Sequence, residues 1–82
     1  MEQILEIAQN IKETEVQIAD MSNRVKGMFS EITDRFVESK GIRTSEIDQL
    51  YKQIDSTFNA KAKLEAHVRS QKNVLSLIHI SE

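Results

Sequence analysis

The chain has no cysteine, no proline and no tryptophan, and only two glycines in 82 residues. Without cysteine there are no disulfides and no thiolate metal ligands, which fits a reducing compartment such as the cytoplasm. Without proline, and with glycine only at 27 and 41, little in the chain interrupts a helix. His67 and His79 are the only histidines, and neither has the company a metal site needs. Glycine-rich phosphate loops, zinc patterns and calcium-loop patterns are all absent. No apolar run approaches the roughly 20 residues that span a bilayer. The opening "MEQILEIAQN" lacks the basic region of a signal peptide. Carboxylate pairs such as Glu13 and Glu15 lie two apart and do not share a helix face. No nucleophile is poised by spacing beside His67. These absences point away from an enzyme, a metal or cofactor, a small-molecule substrate and a membrane partner.

What is present is helix-forming: Glu, Lys, Gln, Ile and Ala dominate, and the expected fold class is all-α. From Glu2 to about Ser39 a heptad runs without a gap. Ile4, Ile11, Ile18, Val25 and Ile32 occupy its a positions, and Ile7, Thr14, Met21, Met28 and Arg35 its d positions. A 3.5-residue period keeps one seam facing a partner along the whole helix. The sequence therefore predicts a first helix over about 2–39 that oligomerises through Ile4, Ile7, Ile11, Ile18, Met21, Val25, Met28 and Ile32. Thr14 and Arg35 interrupt that seam, so a parallel dimer and a helix folded against its own neighbours both stay open. Ala8, Phe29 and Phe36 widen the apolar stripe, which calls for packing against more than one partner helix. Gly27, mid-helix, costs about 1 kcal/mol relative to Ala and suggests another backbone close by.

"ESKGIRTSEI" punctuates the chain. Gly41 suits the left-handed residue after a helix, with Ile42 folding back on the last turn. Thr44 or Ser45 can cap a new helix, with Glu46 favourable in its first turn. Ile47, Leu50, Tyr51 and Ile54 give a short second helix, about 45–55, one apolar face. The cap and turn residues of "DSTFN" predict a second break near Phe58, a continuous helix being the competing reading. A third helix then covers about 59–74, with an apolar face so thin that a partner is needed to order it.

Charge is distributed unevenly. Glu2, Glu6, Glu13, Glu15 and Asp20 face only Lys12 near the start, whereas Lys61, Lys63, Arg69 and Lys72 face Glu65 after Phe58. Either the two ends attract each other, or the basic end meets a polyanion. The candidate phosphate contacts are Arg24, Lys26, Arg35, Lys40, Arg43, Lys61, Arg69 and Lys72. The competing reading is that these are solubilising charges interleaved with acids such as Glu31, Asp34 and Glu38.

A long heptad helix, "VKGMFSE", a Gly-apolar break and "GIRTSEIDQL" in that order resemble two small all-helical families. One is the double-stranded-DNA-binding late-transcription regulator family of T-even-like phages. The other is the GapR-like chromosome-structuring family. The likeness spans about residues 4–54 and rests on Val25, Lys26, Met28, Phe29, Glu31, Gly41, Ile42, Ile47 and Leu50. It implies an oligomer in a bacterial cytoplasm that holds duplex DNA through its phosphates with little sequence reading. Lys26 carries over as a phosphate contact. The second helix does not, because Glu46 and Asp48 stand where those families tend to be basic. The spacing from "VK" to "GI" is also about one turn longer. The alternative function is a coiled-coil module for protein partners: an adaptor, assembly factor or inhibitor.

The ending differs from the rest. Leu75, Leu77, Ile78 and Ile80 crowd into "LSLIHISE". The codons CTG TCT CTT ATA CAC ATC TCC GAG encode Leu75 through Glu82 and resemble a sequencing adapter translated in frame. The expectation is a single helical domain over 1–74, cut short near Val74, followed by an adapter-derived tail over 75–82.

Overall fold

The computed structural model describes residues 2–81, and side chains from 3 to 78. The described residues form two α-helices, α1 (Glu2–Glu38) and α2 (Ser45–Ser81), joined by a short turn. At 1.5 Å per residue, a helix of 37 residues is about 56 Å long. The whole molecule measures 62 × 14 × 14 Å, so the helices lie side by side and antiparallel as one hairpin rod.

The expected count of three helices is corrected to two. No break occurs at Asp55–Asn59, where α2 runs on without interruption. Cap-type residues end a helix only when their side chains take over backbone donors at a new start. Thr57 instead turns its hydroxyl back along the helix and donates to the Gln53 carbonyl at 2.8 Å. With no Gly or Pro in the segment, nothing forces the chain out of helical geometry. The segment over 59–74 is therefore the body of α2.

That continuity exposes a second heptad. Ile47, Ile54, Lys61, Val68 and Leu75 sit at its a positions, and Leu50, Thr57, Leu64, Gln71 and Ile78 at its d positions. Every one of them is buried or half-buried. Going up α1 the seam steps by three, then four. Coming down α2 from Ile78 it steps by three, then four as well. The a levels of one helix thus meet the d levels of the other in a single register centred on Gly41. Ile11 lies level with Gln71, Ile18 with Leu64, Ile32 with Leu50, and Arg35 with Ile47. Leu75 and Ile78, within the adapter-like tail, fall in this register. Heptad geometry depends on side-chain type and carries no information on origin. The side chains of His79 and Ile80 lie outside the described residues.

The seam of α1 is consequently covered by α2 of the same chain. This corrects the expectation that Ile4, Ile7, Ile11, Ile18, Met21, Val25, Met28 and Ile32 present an oligomer interface, since the hairpin buries or half-buries each of them. The interruptions of the seam have local solutions. Thr14 is buried, and its hydroxyl donates to the Asn10 carbonyl at 2.8 Å. Arg35 reaches out of the seam to Glu31 (3.2 Å) and to Glu46 across the hairpin.

Packing is densest near the turn. Val25, Ile32, Ile47, Leu50 and Ile54 form one buried cluster, with Met28, Phe36 and Tyr51 against it. Ile47 is completely buried. Further out the seam is poorer in hydrocarbon, and the buried Gln71 Oε1 has no hydrogen-bond partner.

The turn closes α1 with a Schellman pattern. The Gly41 N–H donates to the Phe36 carbonyl (2.7 Å) and the Lys40 N–H to the Val37 carbonyl (3.2 Å). These bonds put Lys40 (φ 57°), rather than Gly41, at the first left-handed position, and Gly41 follows at φ 85°. Ile42 does not fold back; it is exposed. Of the two cap candidates, Thr44 is the one used, its hydroxyl accepting the Ile47 N–H at 3.3 Å. Glu46 and Asp48 fall in the first turn of α2, where the helix dipole favours acids. Gly27 has nothing within 4 Å of where a Cβ would stand; the expected close backbone is absent.

A candidate protein-interaction face

An antiparallel coiled coil has two flanks, one lined by the e positions of both helices and one by the g positions. Here they differ sharply. The g flank near the turn carries Arg24, Glu31, Glu38, Glu46 and Gln53, all polar. On the e flank Phe29 and Phe36 of α1 alternate with Tyr51 and Phe58 of α2. These are all the aromatic residues of the chain, three Phe and one Tyr. Each follows a d residue directly, so the heptad itself aims it sideways out of the seam.

Phe36 and Tyr51 lean on the core cluster, whereas Phe29 and Phe58 each remain 45% exposed. Arg43, from the turn, lies over the Tyr51 ring at 4.7 Å from its centroid and pairs with Asp48. That cation–π contact ties the turn to the aromatic end of the flank. Further from the turn the same flank becomes polar. Glu15 and Lys72 pair across the helices at 3.3 Å, beside a shallow groove of about 420 Å³ whose walls include Ile18, Val68 and Glu65. This pair realises once the expected attraction between the acidic start and the basic later segment.

The eight cations singled out as phosphate contacts are not gathered on one surface. Arg24 pairs with Asp20 at 3.0 Å. Arg35 is held by Glu31 and Glu46, Arg43 by Asp48, and Lys72 by Glu15. The guanidinium of Arg35 is pushed above its ordinary value, first by its hydrogen bond to Glu31 and then by the charge of Glu46. Arg43 is pushed up by its hydrogen bond to Asp48 and that group's charge. Lys26, Lys40 and Arg69 are exposed and form no ion pair among the described residues. Lys61 is half-buried at a seam position of α2, the kind of place where a lysine stem covers apolar surface and its amine stays in water.

Among the described residues no group of three or more His, Asp or Glu is placed to hold a metal. No described helix is long and apolar enough to cross a membrane. The arrangement is that of a two-helix coiled-coil hairpin with one aromatic and one polar flank. No protein-family profile matches the chain, and no curated protein or solved structure is significantly similar to it.

The aromatic flank is the feature missed in sequence. Its signal was present: Phe29 and Phe36 are seven apart, as are Tyr51 and Phe58. The α1 pair lies on an evident heptad, whereas the polar seam residues Thr57 and Lys61 hide the equal spacing on α2.

Proposed function

We propose that the protein is a non-catalytic coiled-coil module that binds protein partners through its aromatic flank. One observation carries this reading: every aromatic side chain lies on the same side of the rod, and two of them stay half-exposed. Aromatic residues are enriched at the buried centres of protein interfaces and supply large contact areas at low entropic cost. Near the turn the opposite flank carries Arg24, Glu31, Glu38, Glu46 and Gln53, all exposed and polar. A photo-cross-linking residue placed at Phe29 tests this, with the same group at Gln17 on the polar flank as control. Protein adducts at position 29 and none at 17 are expected. Equal labelling at both positions, or none at either, refutes the reading.

A second reading is duplex-DNA binding of the phage-regulator or nucleoid type. It is supported by Lys26, Lys40, Lys61 and Arg69, which form no ion pair among the described residues. Phosphate binding by these groups makes affinity fall steeply with salt. A gel-shift titration at two salt concentrations decides it: no retardation of duplex DNA at low salt removes this function.

A further inference from the structure

We propose that the aromatic flank is the interface between two copies of the hairpin, aligned with their turns at the same end. This rests on the reading of that flank as a docking face and names its occupant. A two-helix rod of this size has a small core, and chains below about 80 residues commonly need an added staple such as self-association. Here the seam of α1 is already used within the chain, and the aromatic flank, with Phe29 and Phe58 each 45% exposed, is an apolar surface still open to cover.

Within the aromatic half, one charge pair favours the alignment. Lys26 borders the flank on α1 and Asp55 borders it on α2, both at b positions and at nearly equal distance from the turn. Both are exposed, and neither forms an ion pair among the described residues. A two-fold axis parallel to the rod lays α1 of one copy over α2 of the other at the same level. Lys26 then meets the partner's Asp55, and symmetry makes the pair twice. The small residues Ala19 and Ala62, also at b positions, meet in the same way further out. Phe29 falls between the partner's Tyr51 and Phe58, so the aromatic side chains interleave.

The aromatic half of a 62 × 14 Å outline gives about 900 Å² for both copies together. That lies among weak, exchanging interfaces, which run below about 1,200 Å². A concentration-dependent dimer is therefore expected.

Sedimentation velocity on the full chain, from low to high micromolar, is the test. Wild type should pass from monomer to dimer. Phe29→Glu with Phe58→Glu should weaken the dimer by at least about tenfold while helix content by circular dichroism stays unchanged, since both rings are half-exposed. Lys26→Glu alone should weaken it, and Lys26→Glu with Asp55→Lys should restore it. Gln17→Glu, on the polar flank, should leave it as it was. A wild type that stays monomeric throughout overturns the dimer. If it is monomeric while the cross-linker at Phe29 captures a different protein, self-association fails and the docking face stands. If it is monomeric and captures nothing, both fail. A dimer that ignores the two Phe substitutions, or a charge swap that does not restore it, overturns the proposed interface.

Discussion

Gln71→Leu should stabilise the protein. Gln71 occupies a d position of α2, level with Ile11 across the seam, and its buried Oε1 accepts no hydrogen bond. A buried acceptor left unsatisfied costs about 1–3 kcal/mol. Gln71 as a whole is only half-buried, so the lower end applies, about 1 kcal/mol. Leucine removes that cost and sets hydrocarbon against Ile11. For a domain of this size, 1 kcal/mol corresponds to about 4–8 °C in Tm. Thermal and urea melts followed by circular dichroism, at one fixed protein concentration, measure the change. The urea slope should stay constant while the midpoint rises. A Gln71→Leu variant no more stable than wild type would refute the argument. It would mean that the amide oxygen reaches water, and that the level assigned to Gln71 in the seam is wrong.

Three further substitutions probe the turn and core. Lys40→Gly should gain about 0.5–1 kcal/mol, because the left-handed φ at Lys40 costs a side-chain-bearing residue about 1–2 kcal/mol and glycine returns part of this as chain entropy; a lower melting temperature would contradict the Schellman assignment. Gly27→Ala should gain up to about 1 kcal/mol, since a Cβ there meets nothing; a loss on the same melts would reveal a close neighbour. Ile47→Ala, at a completely buried side chain, should lose about 2–5 kcal/mol. Much of the small stability of such a domain disappears with it, and amide exchange should then accelerate throughout both helices.

Much of α1 could be read from sequence, because its a positions are uniformly β-branched and nothing interrupts them. Ile11, Val25 and Ile32 are buried as that pattern requires. The start of α2 was legible too, since Thr44 caps it and acids follow. The length of α2 was not. Three of its seam positions, Thr57, Lys61 and Gln71, are polar, and a hydrophobic pattern does not register them. Setting Leu75 and Ile78 aside as foreign removed two more seam positions. What remained, Leu64 and Val68, looked like the thin face of a separate helix. The intramolecular pairing followed from the same omission: once α2 carries its own heptad, α1 has its partner a turn away. The end of α1 lies one residue earlier than Gly41 suggests, for a different reason. Glycine is so strongly favoured at the first left-handed position that Gly41 drew the assignment, although the hydrogen bonds place that position one residue earlier.

The placement of Tyr51 has a practical side. The chain has one tyrosine and no tryptophan, so its near-ultraviolet emission comes from a single ring. That ring stands on the aromatic flank with the Arg43 guanidinium over one face. Anything that settles between Phe29 and Phe58 changes the solvent around it. The unlabelled protein thus carries its own optical probe at the surface of interest, and titrations there can be followed without attaching a dye.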